Sequence, residues 1–440
     1  METQHEVAKR MYNARASKYN DSWHPSFAAY VVSYLDPQPG WDILDLACGT
    51  GLVTFNAAKA VGPTGSVTAI DVSDGMLYEA KKELTRLQNE EGGWNNIQIF
   101  NHDITNLAQL DAIRDRKFDA ITCASCLVLL DSPYDAVSSW ASLLKPGGEL
   151  VTDVTHPSNQ PFGIALEVVY ARLGLQPPSQ RMWSQSADDI QRLFEAAGLE
   201  VQDVHLQTQA KYGEKKSRAD DGGKLWDDYA EAEVTRPLQD EKIKDRAREM
   251  FLEEWRLLAD KEGNVIDMDG VFIGKGLRKD EMAPKAAMLG SCACGHVTWK
   301  AAIAPLSICH CCCVPCRKIS GGPFLTMMEF DSWAVSFTPR LSDLQQTNLS
   351  PHARRGFCGR CGTTLWYQQF RSLNRIEIAM GSLDEETLNG VALDKLLKNT
   401  RKHWTQTKSK VSWWDIPDDG WAKYEGMSNQ VTEDAMHVYK

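Results

Sequence analysis

The chain has 440 residues and a mass of 49.2 kDa, a length that favours two or three domains over one. At 43% hydrophobic and 24% charged, it has the make-up of a globular protein with apolar material for more than one core. Its net charge of -11 weighs against binding DNA or RNA, which rests on Lys and Arg neutralising phosphates. No run approaches the roughly 18 apolar residues of a membrane helix, and the first residues have no apolar signal core. A cytoplasmic protein with neither a nucleic-acid nor a membrane partner is expected.

From Trp41 onward, short apolar runs alternate with amphipathic stretches. Residues 43–46, 67–70, 97–100, 118–122 and 149–154 read as strands, and 52–61, 74–88, 107–115 and 134–144 as helices. This alternation predicts an α/β fold, a doubly wound parallel sheet that binds ligands at the carboxyl ends of its strands. Beyond it, 187–198 reads as a helix with a glycine stop, 199–207 as a strand, 211–223 as a loop or lid, 240–260 as a charged helix and 271–276 as a last strand. Pro284 and small residues then mark a linker over 281–288, between a first domain of 1–280 and a second of 289–426. A polar tail, 427–440, follows. The charge divides at the same place. Residues before Leu289 carry 31 Lys+Arg against 45 Asp+Glu and the rest 17 against 14, as expected of two different modules.

The run Ile43-Leu44-Asp45-Leu46-Ala47-Cys48-Gly49-Thr50-Gly51 is an apolar strand ending in a small-residue turn before a helix. Such a turn lets a ligand approach the backbone and leaves amide groups free at the helix start. A second strand ends at Asp71, where a carboxylate suits the two hydroxyls of a ribose. Ala47 stands at the first glycine position of a dinucleotide fingerprint and no third glycine follows, so a pyrophosphate is not the expected ligand.

The run resembles motif I of class I S-adenosylmethionine-dependent methyltransferases. Ala69-Ile70-Asp71-Val72-Ser73 and Asn101-His102-Asp103-Ile104 resemble the second and third motifs, and 118–123 and 144–148 the later ones. The likeness is to the ubiquinone/menaquinone-biosynthesis type and spans 6–279. It implies a Rossmann-like sheet with N-terminal helices covering the cofactor, Tyr12, Tyr19 and Trp23 among them. It also implies that Asp45, Ala47, Cys48, Gly49 and Gly51 hold the methionine end and that Asp71 and Val72 meet the ribose. Met76, His102, Asp103 and Ile104 would line the adenine, with Asp103 on its amino group. Methyl transfer is an in-line displacement, so positioning dominates and a base is needed only where the acceptor loses a proton. Tyr19 and His156 are the catalytic candidates, with Cys126 and Asp153 beside them. Residues 155–181 and 211–226 are expected to shape the acceptor pocket.

Nine of the twelve cysteines fall between Cys292 and Cys361, which in a reducing compartment reads as metal thiolate rather than disulfide. Pairs at these spacings each supply two sulfurs of a tetrahedral zinc site. A dithiol reading of Cys313-Val314-Pro315-Cys316 is weaker, because the sequence offers no strand-helix context for it. The order Cys292-x-Cys294-Gly295, Cys311-x-Cys313-x-x-Cys316-Arg317-Lys318 and Phe357-Cys358-x-x-Cys361-Gly362-Thr363 resembles the glutathione-dependent formaldehyde-activating enzyme family, which includes centromere protein V. The likeness spans 289–425 and implies a small β-rich domain with two zinc ions. Cys292, Cys294, Cys358 and Cys361 would hold the first, and Cys311, Cys313 and Cys316 the second. The family reads C-H-C-x-x-C where this chain has two extra residues, so Cys309 or Cys312 stands as a further ligand candidate. The expected function is methyl transfer to a small-molecule acceptor, with a zinc domain that is structural or acts on a glutathione or other thiol adduct. The alternatives are a non-catalytic cofactor sensor and a carbon-sulfur lyase working through the zinc domain.

Overall fold

The computed structural model describes residues 4–208, 213–279, 288–339, 341, 344–384, 397–398 and 400–426. The linker proper, 281–287, and the tail, 427–440, lie outside the described residues. The chain divides into two compact units, one of residues 1–169 and 176–284, the other of residues 170–175 and 285–440.

In the first unit, helices α1 (Gln4–Arg15) and α2 (His24–Leu35) precede a seven-stranded sheet. Its strands are β1 (Asp42–Leu46), β2 (Ser66–Asp71), β3 (Ile97–Asn101), β4 (Phe118–Cys123), β5 (Leu144–Thr155), β6 (Leu199–Thr208) and β9 (Gly270–Arg278), in the order β3-β2-β1-β4-β5-β9-β6. The pairs joining β1 to β5 are parallel, as the crossovers α3 (Leu52–Val61), α4 (Asp74–Glu90) and α5 (Pro133–Leu143) require. β9 departs from the expected all-parallel sheet and runs antiparallel to both β5 and β6. Ile43, Leu44, Leu46, Val67, Ala69 and Ile70 are fully buried, the near-continuous apolar strands of a sheet covered on both faces. The strand order reverses between β1 and β4, where such folds bind ligands.

Three expectations need correction. Residues 107–115 do not form an α-helix: only Leu107–Gln109 is a 3-10 turn, followed by further turns. Residues 155–181, expected as pocket-forming and among the least regular parts of the domain, instead carry α6 (Pro161–Leu173) in their middle, and α7 (Ala187–Ala196) follows. The expected lid at 211–223 begins outside the described residues at 211–212. It then becomes β7 (Glu214–Arg218), paired antiparallel with β8 (Asn264–Met268), and leads into α8 (Gly222–Asp228). Helix α9 (Lys244–Leu257) lies within the charged stretch foreseen for it.

The second unit is β-rich. β10 (Met288–Ser291), β11 (Thr298–Ala301) and β14 (Val335–Thr338) form a three-stranded sheet. An eight-stranded sheet contains β12 (Ser307–Cys311), β13 (Leu325–Asp331), β15 (Gln345–Ser350), β16 (Ala353–Phe357), β17 (Thr364–Gln369), β18 (Arg375–Ala379), β19 (Arg401–Thr405) and β20 (Ala422–Lys423), with one short helix, α10 (Val314–Ser320). One core joins the two sheets: Met288, Trp299 and Ala301 from the smaller pack with Ile308, Met328, Phe330, Trp366 and Ile378 from the larger. Cys292 and Cys358 belong to that same core.

Candidate active site and metal centre

The turn after β1 is held in an unusual backbone conformation. Ala47 (φ 52°), Gly49 (φ 55°) and Gly51 (φ 87°) all lie in the left-handed region. Asp45 lies beneath the turn, 1% exposed, with its two oxygens accepting from Thr54 Oγ1 (2.5 Å) and Thr122 Oγ1 (2.8 Å). Burial pushes its carboxyl up to about 6. Both oxygens thus tie β1 to α3 and β4. Cys48 is likewise turned inward, against Ala69 and Leu77.

Asp71 closes the turn from the neighbouring strand: one oxygen accepts from the Gly49 N–H (2.8 Å) and the other from the Ser73 N–H (2.8 Å). A carboxylate oxygen has two acceptor positions, so both oxygens can still receive a ribose hydroxyl. A Cβ built on Gly49 meets nothing within 4 Å, so the backbone there faces open space. Ala47, Gly49, Val72, His102 and Asp103 all keep partial exposure at the ends of β1, β2 and β3, three adjacent strands. This edge fits the nucleoside and methionine parts of S-adenosylmethionine. Met76 does not join it: at 1% exposed, it packs inside α4's buried face. Ile104 is also buried, its carbonyl accepting from Trp140 Nε1 (2.9 Å). His102 Nε2 is engaged with the Asn106 carbonyl (2.9 Å).

The N-terminal helices reach this edge through residues that sequence reasoning missed. Asn13 Oδ1 accepts from Ser73 Oγ and from the Gly75 N–H, both at 2.8 Å. Thr50 Oγ1 donates to Asn20 Oδ1 (2.6 Å). Polar residues of this kind give no periodic signal. The cover roofs a cavity of ≈ 330 Å³. Tyr12, Arg15, Tyr19 and Trp23 line it from above, Ser125, Cys126, Asp153 and Thr155 from the ends of β4 and β5, and Arg181 and Asp269 from beyond. The negative charge of Asp71 acts on the phenols of Tyr12 and Tyr19, both of which line the cavity.

Of the catalytic candidates, Tyr19 lines the cavity, but burial and the nearby Tyr12 push its phenol far above the ordinary range. It can donate a hydrogen bond and is no base near neutral pH. His156 does not line the cavity: its ring lies 5.4 Å from that of Phe272, Nδ1 accepts from the Ser158 N–H (3.1 Å), and burial lowers its pKa. Asp153 does line it. Its Oδ1 accepts from the Ser125 N–H (2.7 Å) and burial pushes the carboxyl up to about 7, a value suited to taking a proton at neutral pH.

In the second unit, two turns supply four sulfurs. Cys292 and Cys294 follow β10, and Cys358 and Cys361 lie between β16 and β17. All four Sγ atoms lie within 4.8 Å of one another, with Cys292–Cys294 at 3.5 Å and Cys294–Cys358 at 3.8 Å. A zinc ion with bonds of about 2.3 Å separates tetrahedral sulfurs by about 3.8 Å, so the set fits zinc. The Val297 N–H donates to Cys292 Sγ (3.2 Å), as outer-shell partners of thiolate ligands do.

Cys311, Cys313 and Cys316 form a second cluster, also within 4.8 Å. Cys313 caps α10 directly after β12, so the strand-helix context missing from the sequence reading is present. Cys311 converges on the pair all the same, making three sulfurs rather than a dithiol. Neither extra ligand candidate joins them. Cys309 Sγ contacts Glu377 Oε2 (3.9 Å), and Cys312 is 0% exposed and outside the cluster. Arg355 Nη2 donates to Cys316 Sγ (3.2 Å), stabilising thiolate there. The three sulfurs line a cavity of ≈ 110 Å³ with Glu329, Tyr367 and Glu377, whose carboxyl burial pushes up to about 8.

Comparison with known proteins agrees with both halves. A methyltransferase-domain family matches residues 43–148, and the glutathione-dependent formaldehyde-activating enzyme family matches 287–407. A ubiquinone/menaquinone biosynthesis C-methyltransferase of Ectopseudomonas mendocina is 29% identical over 199 residues, 43% of this chain and 74% of that one. A demethylmenaquinone methyltransferase of Staphylococcus aureus is 27% identical over 191 residues, 40% of this chain and 75% of that one. Among solved structures, magnesium protoporphyrin IX methyltransferase of Synechocystis is similar over 58% of this chain and 80% of its own, at 14% identity and a TM-score of 0.33.

Proposed function

We propose, for a chain that joins an S-adenosylmethionine-dependent methyltransferase domain to a zinc domain of the glutathione-dependent formaldehyde-activating type, that it methylates a small aromatic acceptor seated beneath Tyr12, Tyr19 and Trp23. One observation carries this reading. The Gly49 turn and the ≈ 330 Å³ cavity open along one edge of the sheet, at the ends of β1 and β2 for the first and of β4 and β5 for the second. The volume lies at the small end of ligand pockets, which run about 300–1,000 Å³. One relative is named as a ubiquinone/menaquinone biosynthesis C-methyltransferase and another as a demethylmenaquinone methyltransferase, and this favours a ring acceptor.

When bound, S-adenosylmethionine supplies an electrophilic methyl carbon on a sulfonium. The chain supplies the rest. Asp71 holds the ribose hydroxyls, the Gly49 backbone gives the methionine end room, and Asp103 meets the adenine amine. The aromatic cover excludes water, Tyr19 donates a hydrogen bond that orients the acceptor, and Asp153 takes the acceptor's proton. Calorimetric titration with S-adenosylmethionine tests the reading. Removing a charged hydrogen-bond partner costs about 1.5–3 kcal/mol, so Asp71→Ala should weaken binding by about 10- to 150-fold. Absence of binding by the folded wild type would overturn it.

The open three-sulfur cluster favours a second role beside this one. With Cys309 and Cys312 outside it, a zinc ion at this cluster would be held by Cys311, Cys313 and Cys316, three sulfurs that line the ≈ 110 Å³ cavity, and would have room for a ligand from outside the protein. Such an open position suits catalysis on a thiol adduct better than a purely structural role.

A further inference from the structure

Two side chains lining the larger cavity each bury a polar atom that has no partner among the described residues. Arg181 Nη1 and Thr155 Oγ1 form no hydrogen bond among the described residues, although both side chains line the cavity. Buried donors left unsatisfied are costly, and exceptions in a folded protein often mark a place where a ligand supplies the partner. The main counter-charge acting on Arg181 is Glu167. Glu167 accepts from the main-chain N–H groups of Arg181 (2.7 Å) and Met182 (3.1 Å) and from Ser179 Oγ (3.2 Å), and it attracts the guanidinium without bonding Nη1.

The charges facing the cavity set the valence of the missing partner. Arg15, Lys18 and Arg181 bring three positive groups, Asp153 and Asp269 two carboxyls, and His24 an imidazole. Glu167 and, less strongly, Asp267 attract Arg181 from outside the lining, and Arg15 repels it. The Arg15 guanidinium is itself stacked on Tyr12 and Tyr19, with ring centroids at 4.7 and 5.0 Å, which fixes it at the aromatic end. A monoanion matches this balance, whereas a dianion would be opposed by both carboxyls. A planar guanidinium fork matches a carboxylate in geometry as well as in charge.

We propose that the cavity selects an aromatic acceptor bearing one carboxylate, held by Arg181 and Thr155 while its ring lies among Tyr12, Tyr19 and Trp23. The proposal rests on the methyl-transfer reading for its role, but the anion site can be tested without turnover. The full chain, loaded with S-adenosylhomocysteine, is titrated with benzoate beside benzamide, 4-hydroxybenzoate beside 4-hydroxybenzamide, and phenyl phosphate as the dianion, with binding followed by ligand-observed NMR. The acids should bind about tenfold or more tightly than the amides and phenyl phosphate, as expected for a charge-assisted pair. Arg181→Gln should erase that preference and leave S-adenosylhomocysteine binding unchanged, while Arg181→Lys, which keeps the charge and loses the fork, should retain only part of it. If Arg181→Gln does not fold, Thr155→Val should reduce the same preference. Acids that do not bind, amides that bind equally, or a preference that survives in Arg181→Gln would each overturn the site. Loss of S-adenosylhomocysteine binding in the wild type would instead overturn the methyl-transfer reading, and the acid-amide comparison would still decide the anion site.

Discussion

Gly49 and Gly51 lie two residues apart with the same sign of φ, yet their physical demands differ. A Cβ on Gly51 (φ 87°) would stand 2.6 Å from Phe55 Cε2, so Gly51→Ala combines backbone strain of about 1–2 kcal/mol with displacement of a ring. A Cβ on Gly49 (φ 55°) meets no atom within 4 Å and costs the fold only the strain, about 1–2 kcal/mol. Its methyl group would nonetheless enter the open space where the proposed function puts the cofactor. Thermal melts should therefore show the larger loss for Gly51→Ala. Calorimetry should show S-adenosylmethionine affinity falling about tenfold or more in Gly49→Ala, out of proportion to its melt. Equal behaviour of the two variants in both measurements would place the ligand elsewhere.

Asp153 gives the residue scale a pH signature. Its carboxyl is raised by burial from 3.8 to about 7, and a base works only when deprotonated. The rate of S-adenosylhomocysteine release should rise about tenfold per pH unit below that value and level off above it. Asp153→Asn should remove the rising limb and slow turnover by about 10²–10⁴-fold. The stability effect has the opposite sign. The folded state keeps a proton that the unfolded chain has lost between pH 3.8 and about 7, so stability from this group falls as pH rises through that window. Asp153→Asn should lack this decline, and melting temperature against pH checks it. A limb that persists in the variant would assign the proton to another group.

At the scale of elements, legibility followed the local signals. Helix α3 was readable to its ends, because Gly51 and Gly62 bracket an amphipathic run from Leu52 to Val61. Residues 107–115 misled because Leu107, Leu110 and Ile113 recur every three residues. The chain answers with successive three-residue bonds, from Leu110 N to Leu107 O, Ile113 N to Leu110 O and Arg116 N to Ile113 O, instead of α-helical ones. Helix α6 hid for the reverse reason. Ile164, Leu166, Val168, Val169 and Tyr170 are all buried, so no polar face marks a helical period. Strand β7, Glu-Lys-Lys-Ser-Arg, has no apolar alternation and exists through its pairing with β8. The candidate site divided along the same line. Gly49, Asp71 and Asp103 were proposed because motif residues follow strand ends, and Thr155 and Arg181 fell at the two ends of the stretch expected to shape the acceptor pocket, whereas Asn13 meets the edge through tertiary folding alone.

For the whole molecule, metal and cofactor stabilise different cores. The second unit buries Cys292 and Cys358 in the cluster that joins its two sheets, so a zinc ion on the four sulfurs would be tied to that unit's folding. Structural zinc contributes about 10–16 kcal/mol in small domains, more than the usual net stability of a domain. S-adenosylmethionine, by contrast, contributes only through mass action, about 2.7 kcal/mol at one hundred times its dissociation constant. Calorimetric melts of the full chain should show one transition abolished by a strong chelator and another, insensitive to the chelator, raised by S-adenosylhomocysteine. Cys313→Ser separates the two metal sites. Because Cys313 is half-exposed at the start of α10 rather than in the core, its loss should lower bound zinc and stop any turnover of a thiol adduct while leaving the chelator-sensitive transition in place. If that transition disappeared in Cys313→Ser, the three-sulfur site would be structural; if thiol-adduct turnover survived, the open position would have no catalytic part. A single transition responding to both metal and cofactor would mean that the two cores fold as one cooperative unit.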